Sequence, residues 1–190
     1  MILTLAIALA TQQAPTLSCP VMGGPASKDS VVTEYNGVAF SYCCGGCDTK
    51  FKENPKEYIA KAAKDGKTIG VSYFDPVSMK PIDMKKAEGG FSDYKGIRYY
   101  FASADEKATF DKTPAKYGSL PKKEALFCPV SKEAVKSYDK AGGYADYEGT
   151  RYYFCCPMCS GQFVKDPAKF AANSKGHIAD PATMDQKKSD

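Results

Sequence analysis

Three stretches of the chain alternate apolar and polar residues with a period of two. Val38, Phe40 and Tyr42 fall on one face of a strand, as do Ile97, Tyr99 and Phe101, and Thr150, Tyr152 and Phe154. Each stretch follows a turn signal: Tyr35-Asn36-Gly37, Tyr94-Lys95-Gly96 or Tyr147-Glu148-Gly149, in which glycine supplies a positive φ. The pattern predicts three β-hairpins. Past each hairpin the period lengthens. Cys47 and Phe51, Glu106 and Phe110, and Cys159 and Phe163 are each four apart, which puts each pair on one face of a short helix. Pro55, Pro114 and Pro167 then restart the chain in the first turn of a second helix, from which Tyr58, Tyr117 and Phe170 pack back.

Residues 34–58, 93–117 and 146–170 align without a gap, and a Pro-Val pair precedes each, in CPVM at 19–22, DPVS at 75–78 and CPVS at 128–131. The chain therefore reads as three tandem copies of one α+β unit of about 55 residues. The copies occupy 11–65, 70–118 and 124–173. Connections at Asp65–Gly70 and Gly118–Lys123 are rich in Gly, Lys or Pro, and a polar tail at 174–190 is expected to fray. The core of each unit is a handful of aromatics, and a unit that small needs a staple or neighbours.

The eight cysteines come in fours. Copy one has Cys19, Cys43, Cys44 and Cys47; copy three has Cys128, Cys155, Cys156 and Cys159. At the same four places copy two has Asp75, Ala102, Ser103 and Glu106, yet it keeps Pro76, Val77, Tyr94, Gly96, Phe101, Phe110, Pro114 and Tyr117. The four cysteines are present or absent together, and the scaffold survives without them. They therefore read as one functional unit. Cys44-x-x-Cys47 at a hairpin–helix junction can close on a soft ion, and the loop bearing Cys19 folds back to complete the set. A helix N-terminus favours the thiolate form that a metal needs.

These residues resemble the TRASH/YHS family of heavy-metal-binding modules. The matching pieces are Pro20-Val21, Tyr35-Asn36-Gly37, Tyr42-Cys43, Cys47, Phe51 and Pro55. In copy three they are Pro129-Val130, Tyr147-Glu148-Gly149, Phe154-Cys155, Cys159, Phe163 and Pro167. The resemblance implies a treble-clef-like fold for each copy and a role in trafficking, resistance or sensing of metals. The family knuckle is Asp-Pro-Val-Cys. Here Met22 and Ser131 stand at the later position, and Cys19 and Cys128 stand where Asp is usual. Cys44 and Cys156 are additional to the simplest pattern. The expected ligands are Cys19, Cys43 and Cys47 with Cys44 as the fourth, then Cys128, Cys155 and Cys159 with Cys156. Met22 is a candidate soft alternative, and copy two is assigned no site.

Two other readings of the cysteines stay open. Structural disulfides suit an exported chain of small units. A thiol-disulfide oxidoreductase suits the C-x-x-C pairs at 44–47 and 156–159, although the thioredoxin motif needs a βαβ context that this chain lacks. His177, the single histidine, lies in the polar tail and reads as solvated. No acid/base pair of carboxylates and no phosphate-binding glycine loop stands out. Met158 reads equally well as core-facing.

Charge narrows the partners. Of 190 residues 43% are hydrophobic and 25% charged, with a formal net charge of +4. Arg98 and Arg151 are the only arginines and no basic cluster is present, which argues against nucleic acid. The opening MILTLAIALA is too short to span a bilayer, which needs about 20 residues. It has the length of a signal-peptide core and an A-x-A pattern at Ala8-Leu9-Ala10, without a basic start. A buried N-terminal strand or helix is the competing reading. The expectation is a periplasmic or secreted protein with no transmembrane span in its mature form. It binds rather than catalyses, and holds copper(I) or zinc, about one ion per four-cysteine copy, in exchange with a metal-transport or metal-acceptor protein.

Overall fold

The computed structural model describes residues 14–184. The leader expected at 1–10 and the last six residues lie outside them. The fold is mixed α+β, made of small sheets and several short helices. The first copy contributes β1 (Val32–Tyr35), β2 (Val38–Ser41), α1 (Cys47–Glu53) and α2 (Pro55–Lys64). After β3 (Gly70–Ser72), the second contributes β4 (Gly90–Tyr94), β5 (Ile97–Phe101), α3 (Ala104–Lys112) and α4 (Pro114–Tyr117). Three short strands follow: β6 (Lys123–Ala125), β7 (Phe127–Cys128) and β8 (Glu133–Ala134). The third copy then contributes β9 (Gly143–Tyr147), β10 (Thr150–Phe154), α5 (Pro157–Phe163) and α6 (Pro167–Ala171), and α7 (Pro181–Met184) ends the description.

The order hairpin, helix, proline-started helix thus occurs three times along the chain. Each hairpin turns on two residues of positive φ: Asn36 and Gly37 (54° and 72°), Lys95 and Gly96 (47° and 83°), Glu148 and Gly149 (48° and 73°). That is the two-residue turn whose twist matches paired strands. The return strands bury the predicted faces, and each packs a phenylalanine on the helix phenylalanine: Phe40 on Phe51 at 4.5 Å, Phe101 on Phe110 at 5.2 Å, Phe154 on Phe163 at 5.4 Å between ring centroids. Asn54, Thr113 and Asp166 break out of helical geometry, each with ψ of 61–73°, because the following proline crowds the α region.

The connections do more than the sequence suggests. β3 inserts between two hairpins, antiparallel to β2 and parallel to β5, and so joins the first two copies in one five-stranded sheet ordered β1-β2-β3-β5-β4. A Cβ on Gly70 would lie 2.7 Å from side-chain carbons of Phe40 and Val38, so the close approach of β3 to β2 depends on that glycine. The two copies also share one buried core. The third copy has its own sheet, β6-β10-β9, with β6 parallel to β10, and its own core, into which Phe74 of the second copy inserts against Tyr144 and Tyr153.

The tail expected to fray packs instead, as far as it is described. The outer edge of β6 needs a partner, and Ala179 supplies one through two reciprocal backbone hydrogen bonds of 3.0 Å with Glu124. Ser174 is buried, Asp180 pairs with Lys56 at 2.6 Å, and Ala182 packs on the core of the first two copies. His177 is exposed, as expected, and stacks flat on Phe127 at 3.8 Å.

Candidate metal centre

Each copy begins with a tight knuckle. The backbone N–H of Gly23 donates to the carbonyl of Cys19 (2.9 Å), that of Met79 to Asp75 (2.8 Å) and that of Lys132 to Cys128 (2.9 Å), each donor having a positive φ. This turn folds the first side chain back over the N–H groups that follow it. In the middle copy, Asp75 Oδ1 accepts from the N–H groups of Val77 (2.8 Å) and Ser78 (3.3 Å), and Oδ2 from Ala102 (3.0 Å). In the first copy the sulfur of Cys19 faces the N–H groups of Val21, Met22 and Cys43. In the third, that of Cys128 faces Val130, Ser131 and Cys155. These are the same three positions in every copy. Such converging N–H groups form a nest for negative charge, filled by a carboxylate once and by thiol sulfurs twice.

The other cysteines come from the hairpin–helix junction. Cys43 follows β2, and Cys47 opens α1 on the face that carries Phe51. The sulfurs of Cys19, Cys43 and Cys47 all lie within 4.8 Å of one another, as do those of Cys128, Cys155 and Cys159. The fourth members sit at the side. Cys44 lies 3.2 Å from Cys47 and 3.6 Å from Cys43, and Cys156 lies 3.3 Å from Cys159, sulfur to sulfur. All eight are free thiols. The spacings are far from the roughly 2.05 Å of a disulfide and near the roughly 3.5–4 Å between sulfurs sharing one tetrahedral ion.

The thiols do not ionise alike. Burial pushes Cys19 up, but the three N–H groups and the Cys43 thiol more than offset it, and the net shift is downward. Cys128 is likewise pushed up by burial, then drawn down to about 7 by the Ser131 hydroxyl and the three N–H groups. Their neighbours move the other way. Cys43 rises to about 11, chiefly through its hydrogen bond with Cys19, and Cys47 to about 12 through Cys44 and then burial. Burial and the sulfurs of Cys156, Cys128 and Cys155 raise Cys159, while Cys156 is lowered by the thiol and backbone N–H of Cys159. Each cluster therefore holds a readily formed thiolate at its knuckle, joined in the third copy by the lowered Cys156, and that charge opposes ionisation of Cys43 and Cys47 in one cluster and of Cys159 in the other. A cation placed among them removes that opposition. The donor set is thus chemically suited to a soft ion.

The middle copy fills the same frame differently. Ser103 takes the place of Cys44 and Cys156 and caps α3. Its Oγ accepts from the Glu106 N–H at 3.3 Å and donates to the Glu106 carboxylate at 3.0 Å, with Glu106 in the place of Cys47 and Cys159. Burial raises the Asp75 carboxyl, its three N–H partners oppose this, and nearby Glu106 adds to it, so the net shift is upward. Among the described residues, the two cysteine triplets are the clusters of three or more metal-capable groups, and none forms around Asp75.

Met22 lies on the knuckle of the first cluster with its side chain 67% exposed, and Met158 is 75% exposed rather than core-facing. Ser131, the counterpart of Met22, is a neighbour that the sequence places in the knuckle without giving it a role. Its hydroxyl lies 3.2 Å from the Cys155 sulfur and also bonds Cys128. Its place in the knuckle is the signal that points to it. Arg98 and Arg151 prove to be buried hairpin braces. They pair with Asp93 and Asp146 at 2.8 Å and stack on Phe91 and Tyr144.

The YHS domain family matches residues 129–174, the span that runs from the knuckle of the third copy to the end of its helices. That span is similar to a YHS domain. Comparison with curated proteins and with solved structures finds no match.

Proposed function

We propose that this is an exported soft-metal-binding protein built of three tandem treble-clef-like modules of the YHS/TRASH type. In this reading Cys19, Cys43, Cys44 and Cys47 hold one ion, and Cys128, Cys155, Cys156 and Cys159 hold another. The ion is copper(I) or zinc, bound for trafficking, sequestration or resistance. The cysteine-free module is a structural spacer. The protein binds its cargo and does not transform it, and it meets a metal-transport or metal-acceptor protein. Export rests on the apolar opening with its A-x-A pattern.

One observation carries the reading. In two copies of the same frame, three sulfurs converge within 4.8 Å and one of each three sits in a nest of backbone N–H groups. The nest stabilises the thiolate form that a soft ion binds, and the sulfur spacings suit ligands of one ion rather than a bonded pair. The test is elemental analysis of reduced protein beside a free-thiol count. About two zinc or copper(I) ions per chain are expected with all eight thiols titratable after stripping, and one ion after Cys155→Ser with Cys159→Ser. No binding above background would return the cysteines to a stapling role.

A further inference from the structure

The two cysteine sets differ in the pair of residues inside C-x-x-C and in the side chains beside it. In the third copy Cys156 is the N-cap of α5, in extended geometry, and Pro157 is the first helical residue. Gly142, at the mouth of the third hairpin, presses on that junction. A Cβ there would come within 2.4–2.7 Å of the Cys156 and Pro157 backbone. Ser131 adds a hydroxyl beside Cys155. In the first copy the corresponding pair is Gly45-Gly46. The helix does not begin until Cys47, Gly46 sits at φ 82° as its cap, and a Cβ on either glycine would meet nothing within 4 Å. Cys44 is exposed, Ser30 stands where the third copy has Gly142 and bonds the Tyr42 N–H instead, and Met22 offers no hydroxyl where Ser131 does.

Resting on the metal-binding reading above, we infer that the Cys19 cluster is the exchange site of the protein and the Cys128 cluster its holding site. Cys44 stands on a diglycine bend open to solvent, with no packing against either glycine, so a partner's thiolate reaches the ion from that side. The incoming sulfur bonds the ion as the Cys44–ion bond breaks. Cys44 leaves as a thiolate and takes a proton from water, and no electrons change hands. Cys156 is locked by its helix cap, by proline and by the packed glycine, and cannot swing aside in this way. The partner class is a thiol-bearing metal donor or acceptor.

The test uses zinc-loaded full-length chains with one intact site each, Cys155→Ser/Cys159→Ser for the first and Cys43→Ser/Cys47→Ser for the third. Release to a chromophoric zinc chelator is followed by stopped flow at rising glutathione. The first site is expected to release faster by about tenfold or more, the scale on which lost outer-shell partners loosen a metal. Its rate should rise linearly with glutathione, and the third site's should not. Pro157→Gly with Met158→Gly should bring glutathione dependence to the third site, and Gly45→Pro with Gly46→Met should slow the first. Equal rates, or a faster third site, overturn the inference while metal binding stands. If neither single-site chain binds zinc, both readings fail together.

Discussion

Where the third copy carries Cys128, Cys155, Cys156 and Cys159, the middle copy carries Asp75, Ala102, Ser103 and Glu106, within the same order of knuckle, hairpin and helix. The difference teaches that the frame specifies an anion at the knuckle and a cap at the helix, not a metal. A carboxylate satisfies the three N–H groups as well as a thiolate does, and a Ser–Glu capping box closes the helix that a cysteine closes elsewhere. Burial pushes both Asp75 and Cys128 toward their neutral forms; it prevails for the carboxyl, which also faces Glu106, and is outweighed for the thiol, which has the Ser131 hydroxyl beside the three N–H groups.

The strongest way to break this comparison is to empty the nest. Asp75→Ala leaves three part-buried N–H donors without their carboxylate acceptor and is expected to cost about 3 kcal/mol in urea unfolding. Cys128→Ala in reduced, zinc-free protein should cost less. An Asp75→Ala effect no larger than that of a surface substitution would show that the nest needs no anion. A second contrast lies one strand earlier, where Glu124 of the third copy stands in the place of Val71. Glu124 is fully buried and accepts hydrogen bonds from the hydroxyls of Tyr138 and Tyr153, and burial raises its carboxyl from 4.5 to about 7. The folded state therefore binds this proton more tightly than the unfolded chain does. The stability it gives is complete below about pH 4.5 and is lost as pH rises through 7, a change on the order of 3 kcal/mol. Unfolding between pH 4.5 and 8 should show that loss, and Glu124→Gln should flatten it.

Metal sharpens the contrast from the other side. At zinc a hundredfold above Kd, bound sites gain about 2.7 kcal/mol. Hydrogen exchange should slow most in α5, with a much smaller change in α3. Equal protection of α3 would mean that zinc acts on the fold as a whole. The smallest effect belongs to the cap. Ser103→Ala should cost about 1 kcal/mol, read as a lowered melting temperature with no change in zinc stoichiometry.

Much of this was legible in the chain. Turn glycines, proline restarts and the helix pairs four apart marked the three Tyr-x-Gly hairpins and the helices after them, because those signals act within a few residues, but not the short β7–β8 pair. The convergence of Cys19 and Cys128 with the later thiols followed from their co-occurrence. β3 was not legible, since Gly70-Val71-Ser72 is too short for a period and its pairing is chosen by two hairpins distant in sequence. The packing of the tail on Glu124 was hidden for the same reason. The arginine braces left a trace that could be read: Asp93 with Arg98 and Asp146 with Arg151 keep one spacing, and the first copy has Glu34 and Ala39 there.

β3 also decides how the protein can be cut. It is hydrogen-bonded on both sides, to β2 and to β5. A fragment ending at Gly66 would leave β2 with a bare row of N–H and C=O groups, the kind of strand margin on which chains aggregate. A fragment ending at Gly118 keeps the five-stranded sheet whole. The shortest well-behaved piece that carries the first cysteine set must therefore also carry the copy that has no cysteines, which guards its neighbour's flank.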